Sequence, residues 1–490
     1  MDKKILRVNN FGLKEECGVV AVYSLEKEDV AFNIYTSLIA LQHRGQDSAG
    51  IAVFDGKKIN CVKNLGLVSE AIKKEDLEEL KGYMGIGHVR YPTIGAGGIA
   101  DAQPFVAQSS IGQIALAHNG NISNYGIRRK MLEEKGVGFC SSCDAELILN
   151  HFISCLKNSN NDIYQSLEKL MQELDGAYST CAISSKGKLI VFRDPNAIRP
   201  LCWGENSKLI MFASESVALD VNSVPLKGDV NPGEVVVVEN NKIEKKIVAK
   251  KTSNKNCIFE YVYFSRPDSI QNNKLIYNIR YEMGRRLAMR YPTKADIIVP
   301  VPDTSRIAAQ GYSDYSKIPI VEGLMKNRYI GRTFIMPNKK RALAVSLKLN
   351  AVRPLIENKE LIVIDDSIVR GTTAGPIISL LKKNGAKKIH FRVACPPIIA
   401  PCFYGVDLPT YEELIASKKS VEEIRKEIGA DSLAYLTIED LIASIGKKEQ
   451  ELCLGCLTGK YPTAHGQKLA DLIKTRKRKE DLRIWEEKIV

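Results

Sequence analysis

The sequence predicts two successive folded units, an α+β unit in the first half and an α/β unit with a parallel sheet in the second. The chain of 490 residues is long enough for two or three hydrophobic cores. The second half alternates apolar runs of strand length with helical patterns, which is typical of a doubly wound parallel sheet. Its clearest part is LIVIDDSIVRGTT at 361–373, where a buried strand, a loop and a helix to Lys383 follow one another.

Composition indicates a globular protein outside the membrane. Hydrophobic residues make up 44% of the chain and charged residues 26%. No stretch approaches the roughly 18 uninterrupted apolar residues of a membrane span, and the first residues lack the apolar core of a secretory signal, so we expect a cytoplasmic protein. The net charge of +13 is diffuse apart from KTRKRK at 474–479. We interpret 471–490 as a basic tail or helix and predict no nucleic-acid partner.

The first half opens with a strand, CGVVAVYSL, whose first residue is Cys17. Four further motifs follow between apolar runs: LQHRGQDSAGIAVFDG at 41–56, GIGHVRYPTIG at 85–95, IALAHNGNISN at 114–124 and SSCDAELI at 141–148. With Cys17 they resemble the N-terminal-nucleophile glutaminase domain of class II glutamine amidotransferases. The resemblance implies an αββα sandwich over residues 17–250.

Release of ammonia from the glutamine side chain requires a nucleophile, a base and donors for the developing oxyanion. Cys17 is the expected nucleophile. If Cys17 becomes the first residue, its free α-amine, with a pKa near ~8, can serve as the base. We therefore predict that residues 1–16 are a propeptide, and that the uncut chain is inactive with glutamine.

The same resemblance assigns the rest of the glutaminase site. It implies an oxyanion hole formed by the Asn119 side chain and the Gly120 N–H, although Asn-Gly by itself is a strong hairpin-turn signal. Arg90 is expected to hold the substrate carboxylate, since a guanidinium fork suits bidentate pairing, and Asp144 the α-ammonium group. For two further motif residues a structural role remains an equal alternative: Arg44 and His88.

One position departs from the family pattern. Ala197 stands before IRPL in RDPNAIRPL, where the family usually has glycine. A positive φ would cost alanine roughly 1 kcal/mol. We therefore expect a negative φ at Ala197.

A polar, lysine-rich stretch at 248–256 predicts a surface linker and places the second unit at 251–470. The following segment, CIFEYVYFSRPDS at 257–269, resembles the junction found in amidophosphoribosyltransferases. A long helix is expected over 272–290 and a strand over 297–301. A ligand of this unit belongs at the carboxyl ends of the strands.

The loop after the 361–364 strand suits a sugar phosphate, because a helix N-terminus attracts anions while paired carboxylates suit hydroxyls or a divalent metal. An ordinary βα turn with an Asp pair capping the helix is the plainer alternative. The whole run resembles the ribose-phosphate loop of type I phosphoribosyltransferases. That resemblance implies binding of phosphoribosyl pyrophosphate by Asp365, Asp366, Ser367, Arg370, Gly371, Thr372 and Thr373.

The resemblance to these enzymes also implies one Mg²⁺ ion at Thr304, Asp365 and Asp366. The segment KNRYIGRTFIMP at 326–337 resembles the loop that closes over the diphosphate in the same enzymes. Lys326 and Arg332 are the predicted diphosphate contacts there, although Arg328 and Arg332 also suit a solvated turn. A closed, dry site protects a reactive glycosyl donor from water.

Four cysteines suggest a metal centre. Cys453 and Cys456 form a C-x-x-C pair, and Cys257 and Cys402 could join them from two distant segments. Four thiolates suit zinc and a [4Fe–4S] cluster about equally. Resemblance to one branch of the amidophosphoribosyltransferases favours the cluster.

The two halves together predict an amidophosphoribosyltransferase with its propeptide. Such an enzyme transfers ammonia from glutamine to phosphoribosyl pyrophosphate, yielding 5-phosphoribosylamine, glutamate and diphosphate, at the first committed step of purine biosynthesis. Purine nucleotides as inhibitors and a homotetramer are implied by resemblance alone. The alternatives are a sugar aminotransferase, which would lack LIVIDDSIVRGTT, and a non-catalytic regulator, which would leave the glutaminase residues without a role.

Overall fold

The computed structural model describes residues 17–91, 98–327, 348–408 and 410–475. The predicted propeptide 1–16, Arg332 and the tail beyond residue 475 lie outside the described residues. The strands of the first half are β1 Gly18–Ser24, β2 Ser48–Phe54, β3 Ile59–Leu65, β4 Met84–Arg90, β5 Phe105–Ser109, β6 Gly112–Ile122, β7 Gly176–Ser184, β8 Lys188–Arg193, β9 Cys202–Glu205, β10 Leu209–Ala213, β11 Leu226–Asp229, β12 Glu234–Glu239 and β13 Lys242–Ile247.

These strands form two antiparallel sheets, with orders β11-β9-β10-β1-β4-β2-β3 and β13-β12-β8-β7-β6-β5. The sheets face each other across a shared core that includes Val19, Ala21, Ala115 and Val191. Helices cover the outer faces, giving the four layers of an αββα sandwich. They are Ala31–Ala40, Val68–Ala71, Lys74–Glu79, Tyr125–Glu134, Asp144–Asn158, Ile163–Glu173 and Val217–Asp220.

The strand that starts at the predicted nucleophile is central in its sheet. β1 is buried along its whole length, as expected for a continuous apolar run covered on both faces. It pairs with β4 on one side and β10 on the other. Cys17 therefore enters the interior of the sandwich directly before a strand that is fixed from both sides.

The second half contains β14 Asn256–Cys257, β15 Ile270–Gln271, β16 Lys274–Leu275, β17 Ile297–Pro300, β18 Leu324–Lys326, β19 Leu349–Ala351, β20 Glu360–Asp365, β21 Lys388–Val393, β22 Ser432–Tyr435 and β23 Leu452–Cys453. Its α-helices are Ile276–Arg290, Arg306–Ser316, Arg353–Ile356, Ala374–Lys383, Val421–Ile428, Ile438–Ile445, Gly455–Thr458 and Ala464–Thr475, and Glu260–Phe264 forms a π-helix.

A parallel sheet organises this half, in the order β17-β20-β21-β22. An isolated parallel bridge joins Ile298 of β17 to Ile320. Across the sheet, the Ile320 segment lies at one edge, followed by β17, β20, β21 and β22, although β17 precedes Ile320 in the chain. The direction in which successive chain segments join the sheet therefore reverses between β17 and β20. That reversal is the topological switch point, where open α/β sheets bind ligands beyond the carboxyl ends of their strands.

The expected helix over 272–290 begins later than predicted, at Ile276. Residues Ile270–Gln271 and Lys274–Leu275 instead pair as a short hairpin. Asn272 and Asn273 form its turn with φ values of 50° and 59°. Asparagine tolerates this left-handed conformation better than most residues, so the Asn-Asn pair starts a hairpin and not a helix.

The prediction of a negative φ at Ala197 was wrong, because its φ is 47°. The surrounding structure holds this conformation with three hydrogen bonds. The Ala197 N–H donates to Asp194 O at 3.0 Å, and Ala197 O accepts from Arg193 Nη2 at 3.1 Å and Asn256 Nδ2 at 2.9 Å. The residue is fully buried, so tertiary contacts offset the intrinsic cost of a left-handed alanine.

Candidate active sites

Ser214 connects the strand that follows Cys17 to the strand that carries Asn119. Ser214 Oγ accepts the Val19 N–H at 3.0 Å and the Asn119 side-chain amide at 3.4 Å. The Cys17 thiol contacts Tyr91 O at 3.4 Å. One hydroxyl therefore fixes the start of β1 relative to the amide predicted to face an oxyanion.

Gly120 occupies a position where a side chain does not fit. It lies within β6 with φ at 149°, and a Cβ atom there would stand 1.9 Å from Ala177 O of β7. The Asn-Gly pair therefore does not form the hairpin turn that the dipeptide alone would suggest. It lies inside a buried strand, and the glycine permits close approach of β7.

The residues predicted to clamp glutamine lie close together. Asp144 accepts the Ile122 N–H at 3.1 Å and stands 3.1 Å from His118 Nε2. Burial alone would raise the pKa of Asp144, but His118 and these hydrogen bonds lower it below the ordinary value. Arg90 stands 3.6 Å from Asp101 and adds to the positive potential at Asp144. An ionised carboxylate and a guanidinium thus lie in one buried region.

Arg44 and His88 both form hydrogen bonds with other groups of the protein. Arg44 Nε donates to Cys17 O at 3.0 Å, and its remaining nitrogens reach Glu215 and Glu260. His88 is fully buried in β4, its Nε2 lies 3.1 Å from His118 O, and burial lowers its pKa well below the ordinary value. A neutral His88 and a buried Arg44 hold the strands around the site.

The predicted sugar-phosphate loop follows β20 at the switch point. Asp365 Oδ1 accepts the Asp366 N–H at 2.9 Å and the Ser305 hydroxyl at 3.4 Å. Asp366 accepts the Ser367 hydroxyl at 2.7 Å and a hydrogen bond from Thr304. The chain segments after β17 and β20 therefore meet at one pair of carboxyl groups.

Burial raises the pKa values of both Asp365 and Asp366, and the charge of Asp366 raises that of Asp365 further. Within the ranges that the structure describes, neither carboxyl group forms an ion pair. The nearby charge of Arg280 acts on Asp366 without forming an ion pair. Two adjacent carboxyl groups with a threonine hydroxyl are oxygen ligands suited to a divalent metal.

The rest of the loop leads into the helix Ala374–Lys383, with Thr373 as its N-cap residue. Gly371 has φ at 71°, and a Cβ atom there would lie 2.7 Å from Ile415 Cδ1. Thr372 is exposed and Thr373 half-buried. Gly371 thus places the loop against Ile415, with the Thr372 side chain at the surface.

Two predicted phosphate contacts are ion-paired with carboxylates. Lys326 Nζ lies 2.8 Å from Asp303, which also pairs with Arg306, and Arg370 Nη2 lies 2.8 Å from Glu413. Both are at least partly exposed and stand in segments next to the switch point. An anionic ligand would have to compete with these carboxylates for the two cations.

The four candidate metal ligands come from three segments that meet. Cys257 of β14 stands directly opposite Cys453 of β23 in a parallel pair. Cys456 is the second residue of the helix Gly455–Thr458. Its thiol interacts electrostatically with the thiols of Cys257, Cys402 and Cys453. Burial raises the pKa of Cys453 to about 12 and raises that of Cys456 well above its ordinary value.

Across the described ranges, no three His, Cys, Asp or Glu side chains converge closely enough to hold a metal ion. The thiols share one buried neighbourhood without forming a ligand cage. Their chemistry nonetheless fits a sulfur-ligated centre, because buried neutral thiols gain stabilisation when a metal replaces their protons.

The loop that carries Cys402 packs on the glutaminase strand. Asn121 Nδ2 of β6 donates to Phe403 O at 2.9 Å, and Arg199 Nε donates to Tyr404 O at 2.7 Å. A Cβ atom on Gly405 would lie 3.2 Å from Gly120 O. The two halves are therefore in direct contact beside the predicted oxyanion hole.

The sequence reasoning did not identify several residues that shape these sites. Ser214 and Glu215 follow β10 in ASES without any motif that marks a role. Glu260 lies 216 residues from Arg44, with which it pairs. His118 could have been suspected, since it lies within the motif HNGN.

No helix in the described part of the chain is long and apolar enough to cross a membrane.

The four-layer sandwich with a cysteine directly before its central strand defines the first half as a glutamine amidotransferase domain. A family model described as a glutamine amidotransferase domain matches residues 93–221.

Full-length relatives extend this assignment to the whole chain. The amidophosphoribosyltransferase of Methanocaldococcus jannaschii is 45% identical over 463 residues, covering 91% of this chain and 98% of the relative. That of Bacillus subtilis is 41% identical over 458 residues, covering 92% and 95%. The structure of the B. subtilis glutamine phosphoribosylpyrophosphate amidotransferase, complexed with ADP and GMP, superposes with a TM-score of 0.86 at 39% identity, covering 92% and 98%.

The chain belongs to the amidophosphoribosyltransferase family. This confirms the predicted fold class, with its antiparallel sandwich and parallel sheet, and the prediction that the chain is an enzyme of purine biosynthesis.

Proposed function

We propose that the chain carries out its reaction at two sites, with Cys17 releasing ammonia from glutamine and the 365–373 loop presenting phosphoribosyl pyrophosphate. The observation that carries this proposal is the Ser214 hydroxyl, which ties the strand after Cys17 to the Asn119 amide. The second site, at the switch point of the parallel sheet, binds phosphoribosyl pyrophosphate, which accepts the ammonia.

In the first site, the Cys17 thiolate attacks the side-chain amide carbon of glutamine. Asn119 and the Gly120 N–H stabilise the oxyanion, ammonia leaves, and water hydrolyses the resulting thioester to glutamate and free thiol. Arg90 and Asp144 orient the substrate through its carboxylate and ammonium groups. The α-amine of Cys17 moves the proton once residues 1–16 have been removed.

In the second site, ammonia attacks C1 of the ribose and diphosphate leaves. Asp365 and Asp366 hold the ribose hydroxyls, while Ser367, Gly371, Thr372 and Thr373 surround the 5-phosphate at the helix N-terminus. Arg370, Lys326 and Arg332 contribute positive charge. Mg²⁺ held by Thr304, Asp365 and Asp366 would offset the negative charge of the diphosphate.

The domains we propose are a propeptide at 1–16, the glutaminase domain at 17–250, the phosphoribosyltransferase domain at 251–470 and a basic tail at 471–490. We assign a structural [4Fe–4S] cluster to Cys257, Cys402, Cys453 and Cys456. The β14-β23 pair places Cys257 opposite Cys453. We further assign a cytoplasmic location, a homotetramer and inhibition by purine nucleotides. Support for the last is the nucleotide complex of the B. subtilis relative.

The test is diphosphate release measured with glutamine or with ammonium salt as nitrogen donor. Release should require phosphoribosyl pyrophosphate, and Cys17→Ala should abolish it with glutamine but retain it with ammonium salt. Cys181→Ala, a buried thiol in β7, is the matched control and should keep both activities. Glutamine-dependent release that survives Cys17→Ala would contradict the proposal.

A further inference from the structure

Two buried arginines and two buried glutamates form three ion pairs where the halves of the chain meet. Arg44 Nη1 stands 2.6 Å from Glu215 and Arg44 Nη2 stands 2.7 Å from Glu260. Arg199 Nη1 lies 3.5 Å from the same Glu260 oxygen. The four side chains are at most 2% exposed. Two arginines and two glutamates thus lie together in a buried region, where Glu215 also lies 2.7 Å from the partly exposed His43.

Glu260 is the member of this group that the second half supplies. It lies in the π-helix Glu260–Phe264, directly after the junction between the two units. Arg44, Glu215 and Arg199 all come from the sandwich. The position of the Arg44 guanidinium is therefore set partly from outside its own domain.

Arg44 in turn contacts the proposed nucleophile. Its Nε donates to Cys17 O at 3.0 Å. The guanidinium is planar and rigid, so the carboxylates that hold Nη1 and Nη2 also fix the direction of Nε. A shift of Glu260 would move the hydrogen bond to the main chain of Cys17.

The contacts continue toward the sugar-phosphate loop. Ser265 Oγ donates to Glu260 Oε2 at 2.8 Å. The buried Arg280 donates through Nη2 to Ser265 O at 2.7 Å and through Nε to Tyr261 O at 2.9 Å. Arg280 lies on the helix Ile276–Arg290, and its charge acts on Asp366. A series of buried hydrogen bonds thus runs from Arg280, whose charge acts on Asp366, to the main chain of Cys17.

We infer that Glu260 is a positioning residue of the glutaminase site, which holds Arg44, and through it Cys17, in the geometry required for attack on glutamine. The inference rests on the proposed role of Cys17. It makes glutamine cleavage depend on a carboxylate of the phosphoribosyltransferase half. The ammonia-dependent reaction, which does not use Cys17, does not need this carboxylate.

The decisive variant is Glu260→Gln, which keeps the size of the side chain and removes its charge. We expect kcat for glutamine to fall by about tenfold or more, because small displacements of a reacting group carry large rate effects. KM for glutamine should change little, since Arg90 and Asp144 are untouched. Ammonia-dependent diphosphate release and KM for phosphoribosyl pyrophosphate should stay within about twofold.

The matched control is Glu282→Gln, the same substitution at a carboxylate that pairs only locally, with Arg285 and Arg286, on the helix that carries Arg280. It should change neither activity. Equal loss of the glutamine-dependent and ammonia-dependent activities in Glu260→Gln would indicate a purely structural role and overturn the inference. Unchanged kcat with glutamine would overturn it as well.

If Glu260→Gln does not fold, Ser265→Ala decides the matter, because it removes only the hydroxyl that donates to Glu260. A selective fall in kcat for glutamine supports the inference, and an equal effect on both activities or no effect overturns it. Cys17→Ala separates this inference from the proposed function. If that variant behaves as expected while Glu260→Gln and Ser265→Ala do not, only the role of Glu260 is lost.

Discussion

The main-chain N–H of Asp366 donates to the side chain of its neighbour Asp365 at 2.9 Å, which brings two carboxyl groups together in one loop. Folding raises the pKa of both groups from the ordinary value of 3.8. Above pH 3.8, the folded, ligand-free protein therefore retains protons on these two carboxyl groups that the unfolded chain has released.

This pair should make the ligand-free protein less stable as pH rises from 3.8 through the raised pKa values, since the folded state binds more protons over that range. Asp366→Asn removes one charge. We expect its free energy of unfolding to exceed that of the unmodified protein by on the order of 1 kcal/mol at about pH 7, and to match it near pH 4. Urea titration at both pH values measures the difference. A gain in the free energy of unfolding that is equal at both pH values would contradict the raised pKa of Asp366.

Divalent metal should bind more tightly as pH rises through the same range, because it requires the ionised carboxylates. Diphosphate release with ammonium salt should stop when EDTA removes Mg²⁺ and return when Mg²⁺ is added. Asp366→Asn should need more Mg²⁺ for half-maximal release, whereas the exposed control Asp268→Asn should not. The same Mg²⁺ requirement in both variants would argue against Asp366 as a ligand.

Loss of the Asn119 amide should slow glutamine cleavage without affecting the second site. Removal of one oxyanion donor costs about 10²–10³-fold in kcat, so we expect a fall of that size in Asn119→Ala with glutamine. Release with ammonium salt serves as the internal control and should persist. Glutamine kinetics that stay unaltered would place the oxyanion elsewhere.

Glycine should relieve the left-handed backbone at position 197. Ala197→Gly is expected to raise the free energy of unfolding by up to about 1 kcal/mol, because alanine disfavours a positive φ. Ala182→Gly, at a buried position within β7, provides the control and should be destabilising. Thermal unfolding of the two variants gives the comparison, and a lower Tm for Ala197→Gly would refute the expectation.

A sulfur-ligated iron centre should give visible absorbance that Cys456→Ser abolishes. Iron and sulfide analysis of the anaerobically purified protein should match one [4Fe–4S] cluster per chain. Cys155→Ser, on the helix Asp144–Asn158, should leave the spectrum unchanged. A colourless protein that contains zinc and no iron would show that these thiolates bind zinc, the other metal that four thiolates suit.

Local patterns were enough to predict the strand and helix around Asp365 and the strand after Cys17. In both places an apolar run meets polar residues within a few positions. As expected, the strand after Cys17 is buried along its length and the other strand is buried from Leu361 to Asp365. Predictions failed where tertiary contacts override local preference. Ala197 adopts a left-handed conformation because Arg193 and Asn256 bind its carbonyl oxygen.

Long-range pairing was not predictable from the sequence. Nothing near Arg44 indicates that its partner is Glu260, since a buried ion pair depends on packing that forms only in the complete fold. The approach of Phe403 to Asn121 likewise joins residues 282 positions apart. Resemblance to a family identified the members of each site, while the contacts between the sites required the structure.

The parallel pairing of Cys257 with Cys453 has a consequence for the order in which the protein is made. A growing polypeptide displays Cys257 long before Cys453 and Cys456 leave the ribosome. All strands of the sandwich, with the nucleophile, precede Cys257 in the chain and are synthesised before the thiol site can exist. Any metal centre at these cysteines would therefore be loaded only after nearly the whole chain has been translated.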